Sequence, residues 1–126
     1  MEWKEDLSNL DTACPPVDAQ QCDMWVYRLV DRLPSNDSDF YSYRKLYPSR
    51  KFHVSECQAR ACSVFEDIQD ARAVKKMRKA NYIISVHVLK NDGVLLHTPS
   101  RVAKSHISWW ISRSFDITNA EYMEVS

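Results

Sequence analysis

Residues 82–97 read Tyr-Ile-Ile-Ser-Val-His-Val-Leu (82–89), Lys-Asn-Asp-Gly (90–93) and Val-Leu-Leu-His (94–97). The first eight are almost all β-branched, aromatic or aliphatic, which makes Tyr82–Leu89 the strongest strand signal in the chain. Lys90–Gly93 is a turn sequence in which Asp92-Gly93 supplies a positive φ, so Val94–His97 is predicted to return antiparallel as the second arm of a hairpin. Pro99 ends that arm, and Ser100–Ser105 is a polar, basic loop. His106–Ile111 (HISWWI) reads as a further strand, and residues 112–126 as a tail with a terminal helical turn.

Working back from residue 82, Asp67 caps the clearest helix, predicted over Ile68–Ala80. Asp67 and Asp70 lie in its first turn and Lys75, Lys76, Arg78 and Lys79 toward its end, matching the helix dipole. Cys62–Phe65 is a short apolar strand. Ser55 caps a brief helix over Glu56–Ala61. Pro48–His53 is a basic connector, preceded by a short helix over Asp39–Leu46 with Ser35, Asp37 or Ser38 as its cap. Leu33–Asp39 is a loop, and Met24–Val30 (MWVYRLV) is a strand with Arg28 inside a mostly apolar stripe. Residues 1–22 form an arm, broken by Pro15-Pro16, in which Trp3, Leu7 and Leu10 fit one face of a short helix. The expectation is a single α+β domain over residues 23–126 with this arm in front. Its sheet is mixed or mostly antiparallel, with about five strands and two to three helices.

The chain has 126 residues, 44% hydrophobic and 11% aromatic, enough for one core. Its 17 basic and 17 acidic residues balance, which argues against a disordered polyion and against a DNA-coating protein. The single glycine, Gly93, excludes the glycine-rich phosphate loops of nucleotide-binding motifs. The acidic start MEWKEDLSNLDT is not a secretory signal, no run approaches a membrane span, and the last residues carry no lipidation signal. Cys14, Cys22, Cys57 and Cys62 have no zinc-site spacing. With no export signal they predict reduced, buried thiols in a cytoplasmic protein.

Several groups are candidates for chemistry. His87, His97 and His106 stand on the last three predicted strands, with His87 and His97 facing across the hairpin. No carboxylate accompanies them at regular spacing, and no metal site is expected. Cys57 or Cys62 with His53 has the residue types of a nucleophile and base, although no protease signature surrounds either. Lys75, Lys76, Arg78 and Lys79, with the basic-aromatic stretch Tyr41–Lys51, suit single-stranded nucleic acid. Alternatively they are a solvated helix face. Of Trp109 and Trp110, one ring faces each side of a strand, leaving one for the core and one exposed for stacking. A bare edge strand, or the strand of these two tryptophans, is a route to a homodimer. Arg28 must pair or reach solvent, and a guanidinium there suits a phosphate or carboxylate.

An arginine on an early strand (VYRLV, 26–30), then a serine-bearing strand leading into an Ala- and acid-rich helix (ARACSVFEDIQDA, 59–71), resembles small ADP-ribosyltransferase-type domains. The resemblance implies NAD as cofactor, with Arg28 and Ser63 holding the dinucleotide and Tyr27 or Trp109 stacking on the nicotinamide. The family's catalytic glutamate has no counterpart on a strand. Glu121 and Glu124 lie in the tail, and His97 or His106 would have to stand in for it. In size and texture the chain also resembles small stand-alone proteins of bacterial mobile elements. The functional expectation is action through a ligand pocket or an interaction surface. A degenerate NAD-dependent transferase and a nucleic-acid- or protein-binding module are the alternatives. Without a cofactor of the transferase type, the ligand-contacting set is Arg28, Ser63, His97, His106 and Trp109.

Overall fold

Seven residues, Met24–Val30, form β1, and four, Cys62–Phe65, form β2, with the expected ends. The computed structural model describes all 126 residues. Between these strands lie a 3-10 turn over Asp37–Phe40 and two one-turn helices, α1 (Tyr43–Leu46) and α2 (Glu56–Ala59). Then come α3 (Ile68–Arg78), β3 (Tyr82–Val88), β4 (Gly93–His97), β5 (His106–Ile111) and β6 (Tyr122–Val125). The fold is α+β, with one six-stranded sheet in the order β4-β5-β2-β1-β3-β6. Every pairing is antiparallel. No helix is long and apolar enough to cross a membrane.

The local caps follow the sequence. Ser55 accepts from Gln58 N–H and Asp67 from Gln69 N–H. α3 stops at Arg78, two residues short of the expected end, because Lys79 turns left-handed at φ 57°. The predicted helix over Asp39–Leu46 is split in two. Asn36 caps the 3-10 turn and Ser42 caps α1. Ser42 is itself held from the arm by the Glu5 carboxylate, which accepts from its N–H and its hydroxyl.

The hairpin expected at 82–97 does not form. β3 makes seven register pairs with β1, from Met24↔Val88 to Val30↔Tyr82, and four more with β6. Both edges of β3 are therefore occupied, and among the strands β4 pairs only with β5. Residues 89–92 carry the chain across to the far edge of the sheet. In a flat sheet, four inter-strand steps of roughly 4.8 Å would place β3 and β4 about 19 Å apart. A linker containing a 3-10 turn, at about 2 Å rise per residue, falls short of that, so the sheet curls. Val88 and Leu95 accordingly share one core cluster. Asp92 anchors the crossing: its carboxylate accepts from Leu89 N–H, and its carbonyl from Ser112 N–H and the Trp109 indole.

Alternation along the strands sends Val26, Val30, Val64, Ile84, Val86, Ile107 and Trp109 to one face, where Phe40, Phe115 and Ile117 close the main core. The other face is also covered. α3 packs Ala71 and Val74 on Phe65 and Ile83, while the arm and α2 pack Leu7, Cys57 and Ala61 on Trp110. Two covered faces correct the reading of the tryptophan pair. Trp109 and Trp110 do point opposite ways, but both are buried, at 0% and 1% exposure. The exposed tryptophan is Trp25.

The arm has no helix, yet Trp3, Leu7 and Leu10 still meet in one cluster. Its backbone extends the sheet through bridges Trp3↔Ser112 and Gln20↔Leu95. Cys14 is joined to Cys57 by a disulfide, which corrects the expectation of four free thiols; Cys22 and Cys62 remain free. The bond closes a loop across 43 residues of sequence. Replacing both cysteines by serine is expected to cost about 4 kcal/mol through regained unfolded-chain entropy. A urea titration of the double variant measures it.

His87 and His97 do not face one another, since their strands are not neighbours. His87 stacks on Trp25 at 4.8 Å and lies between the carboxylates of Asp23 and Glu121. Hydrogen bonds to Asp23 and then Glu121 raise its pKa above the ordinary imidazole value. The folded state therefore holds this proton more tightly than the unfolded chain. The contribution is complete below the unfolded imidazole pKa and is lost as pH rises through the raised folded value. Melting temperatures measured across neutral to mildly alkaline pH should fall in that window, and His87→Gln should flatten the fall.

Candidate functional site

The register of β2 with β5 pairs Ser63 with Ser108 and Phe65 with His106. Ser63 and His106 are thus diagonal neighbours on the face covered by α3 and α2, close enough for their side chains to meet. Ser63 Oγ lies 2.9 Å from His106 Nε2. On the other side of the ring, Nδ1 lies 3.0 Å from the Thr98 carbonyl and 2.9 Å from the Thr98 hydroxyl, which continues to Ser108 Oγ at 2.8 Å. A carbonyl can only accept, so Nδ1 carries the proton and donates to Thr98. Nε2 is left as the acceptor for the Ser63 hydroxyl. Burial pushes the His106 pKa below the ordinary imidazole value; the hydrogen bond to the Thr98 carbonyl pulls it back up, and the smaller effects of the Arg78 and Arg28 charges lower it further. His106 is neutral at pH 7.

These groups open into a cavity of about 570 Å³. Phe65, Val74, Met77 and Val102 give it an apolar wall, and Tyr43, Gln58, Ser63, Arg78, Thr98, Ser100 and His106 a polar one. None of its seventeen lining residues is an aspartate or glutamate. The Arg78 guanidinium stands 4.4 Å over the Tyr43 ring and has neither a hydrogen-bond acceptor nor a carboxylate within ion-pair range. Partial desolvation and then the nearby Arg28 lower its pKa. The Tyr43 hydroxyl is buried without a partner. The cavity thus contains no anion of its own, while its lining includes the exposed Arg78, and Tyr43, whose hydroxyl is buried without a partner.

The remaining expected site residues are placed elsewhere. Arg28 sits where β1 and β2 diverge, and Tyr27↔Phe65 is their single register pair. Its Nη1 donates to Ser63 O at 2.7 Å, its Nε to Asp39 O at 2.9 Å, and its Nη2 points to Tyr41 O at 3.5 Å. Its donors are turned to the backbone, behind the wall that Ser63 forms. His97 is exposed and bound to Glu66 at 3.1 Å. Trp109 lies on the opposite face and lines a separate cavity of about 200 Å³ with Lys4 and Glu5. Of the basic residues on α3, Arg78 alone lines the larger cavity. Lys76 and Lys79 are exposed and Lys75 half-buried, none paired with a carboxylate. The cysteine–histidine candidates fall away: Cys57 is in the disulfide, and burial pushes the Cys62 thiol up to about 11.

Sequence reading did not single out Thr98 or the Tyr43 hydroxyl. A usable signal was present. Residues 40–55, 71–91 and 93–115 contain no acidic residue, and these stretches supply most of the cavity lining. The basic-aromatic stretch adds Lys45 over Tyr41 at 4.1 Å and Arg50 over Tyr47 at 3.8 Å. Comparison of the chain with protein-family models, curated protein sequences and solved structures returns no match in any of the three.

Proposed function

We propose that this chain is a binding protein for a small organic anion, a phosphate or carboxylate attached to an apolar or aromatic group. The observation that carries the reading is Arg78, a guanidinium without an acceptor in a cavity without a carboxylate. Arg78 is solvent-exposed but partly desolvated, and a ligand anion would supply the counter-charge and strong acceptors that the protein does not give it. The Tyr43 hydroxyl is a second donor without a partner, and the Phe65–Val74 wall takes the apolar portion. NAD is one member of this ligand class, as the resemblance to ADP-ribosyltransferase-type domains implies. No glutamate lines the cavity, so the reading extends to dinucleotide binding and not to glycosidic cleavage. The cytoplasmic expectation came from the absence of an export signal and carried reduced thiols with it. The Cys14–Cys57 disulfide counts against the reduced thiols and favours an oxidising compartment.

A second reading has its own observation. The basic-aromatic stretch holds the cation–ring pairs Lys45–Tyr41 and Arg50–Tyr47, and Arg78–Tyr43 joins it to the end of α3. Such pairs suit the phosphates and bases of a single strand. Calorimetric titration with AMP, NAD and an eight-residue oligothymidylate separates the two. Pocket binding is expected to favour AMP or NAD with a shallow salt dependence, and strand binding to favour the oligonucleotide with a steep one. Arg78→Gln is expected to weaken AMP binding about tenfold or more, the loss of one charged hydrogen bond. No saturable binding of any of the three, or equal affinity in Arg78→Gln, removes the anion-pocket reading.

A further inference from the structure

The Ser63–His106 pair has a geometry that ligand binding alone does not require. Ser63 Oγ donates to an imidazole nitrogen at 2.9 Å, and the opposite nitrogen is fixed by a backbone carbonyl at 3.0 Å. That arrangement holds one tautomer and aims the free lone pair at the hydroxyl, as activation of a serine demands. The two residues sit on adjacent strands of one sheet, so their separation is set by register and not by a mobile loop. Both open into the cavity, where a reagent can reach them. We propose that Ser63 is a nucleophile activated by His106, and that the chain hydrolyses small carboxylic esters in this cavity. The inference rests on the cavity admitting a small molecule and does not require that molecule to be an anion.

The step balances as follows. Ser63 Oγ attacks the ester carbonyl carbon while its proton moves to His106 Nε2. The carbonyl oxygen takes the electron pair and becomes an oxyanion. Arg78 and the Tyr43 hydroxyl, the two donors of this cavity without acceptors, are the groups available to receive it. Collapse breaks the carbon–oxygen bond to the alcohol, which leaves with the proton from His106. Water then attacks acyl-Ser63, giving its proton to His106 and releasing the acid as Ser63 recovers the proton. The sum is ester plus water to acid plus alcohol. Thr98 is a positioning residue, acting through the ring it orients. The charged groups bearing on His106 are Arg78 and Arg28, with no carboxylate among them. They oppose the transient imidazolium and favour the oxyanion.

The test is covalent labelling with a fluorophosphonate probe, followed by intact mass and peptide mapping, alongside hydrolysis of p-nitrophenyl acetate. One adduct on Ser63 is expected, absent in Ser63→Ala. His106→Gln is expected to lower the labelling rate about a hundredfold, the scale of one general base. The wild-type rate should rise with pH and level off at a midpoint below the ordinary imidazole value. Should His106→Gln fold poorly, Ser63→Cys probed with iodoacetamide provides a second readout: a thiol beside His106 is expected to alkylate faster than a free cysteine, and an ordinary rate counts against the proposal. Absence of a Ser63 adduct in folded protein overturns the proposal, as does labelling of Ser63 at an unchanged rate without His106. If AMP still binds in that case, the anion pocket stands alone. If AMP binding is lost as well, both readings fall.

Discussion

Gly93→Ala lowers the stability of the chain by about 5 kcal/mol, the sum of backbone strain and overpacking at one position. Gly93 has φ +137°, which side-chain-bearing residues rarely adopt. A methyl group there would lie 2.1 Å from the Trp110 carbonyl oxygen and 2.8 Å from Trp109 Nε1. Neither can give way. The carbonyl belongs to Trp110, a buried residue paired with Val94 in the β4–β5 ladder, and the indole is buried and bonded to the Asp92 carbonyl. Domains of this size have roughly 5–15 kcal/mol in all, so the variant is expected to unfold at low urea or to express as aggregate. A midpoint close to wild type would mean that β4 does not cross to β5 as described.

Arg28→Ala costs about 4 kcal/mol, because the carbonyls of Ser63 and Asp39 lose their charged donor in a part-buried gap. β1 and β2 share one register pair, so the guanidinium takes the place of ladder hydrogen bonds. Arg28→Met fills the volume without donating and is expected to rescue little, whereas Arg28→Lys restores one donor and a part of the loss. Urea titrations of the three variants give the order. This result also separates two roles for Arg28. A residue that grips a ligand, as the transferase resemblance implies, loses affinity on replacement and keeps stability. A residue that closes a sheet loses stability first.

The elements themselves were legible because their signals are local. β1, β2 and β5 begin and end where their composition places them, and Ser55 and Asp67 cap as their side chains allow. What was not legible is pairing between distant segments. Asp92-Gly93 carries the same local signal whether the chain reverses or crosses the sheet, and only the long β1–β3 register decides between them. Tyr122–Val125 reads as a tail until β3 offers it an edge, which makes the sheet six strands. The spacing of four cysteines does not fix a connectivity, and nothing in it pairs Cys14 with Cys57. The site was half legible. Arg28, Ser63 and His106 were each singled out; Ser63 and His106 meet in the cavity, and Arg28 stays behind it on backbone carbonyls. Trp109 and His97 were singled out with them and lie elsewhere. The Tyr43–Arg78 contact joins α1 to the end of α3 and has no signature in either segment alone.

The central claim is that the cavity between β2, β5 and α3 receives an anion through Arg78. Its most direct test is a two-dimensional amide NMR titration of the wild-type chain with AMP, repeated on Arg78→Gln. The account predicts saturable shifts at Ser63, Arg78, Thr98 and His106, and their loss in the variant while the rest of the spectrum is unchanged. Shifts confined to the arm or to the Trp109 cavity, or an unaltered titration without Arg78, would contradict it.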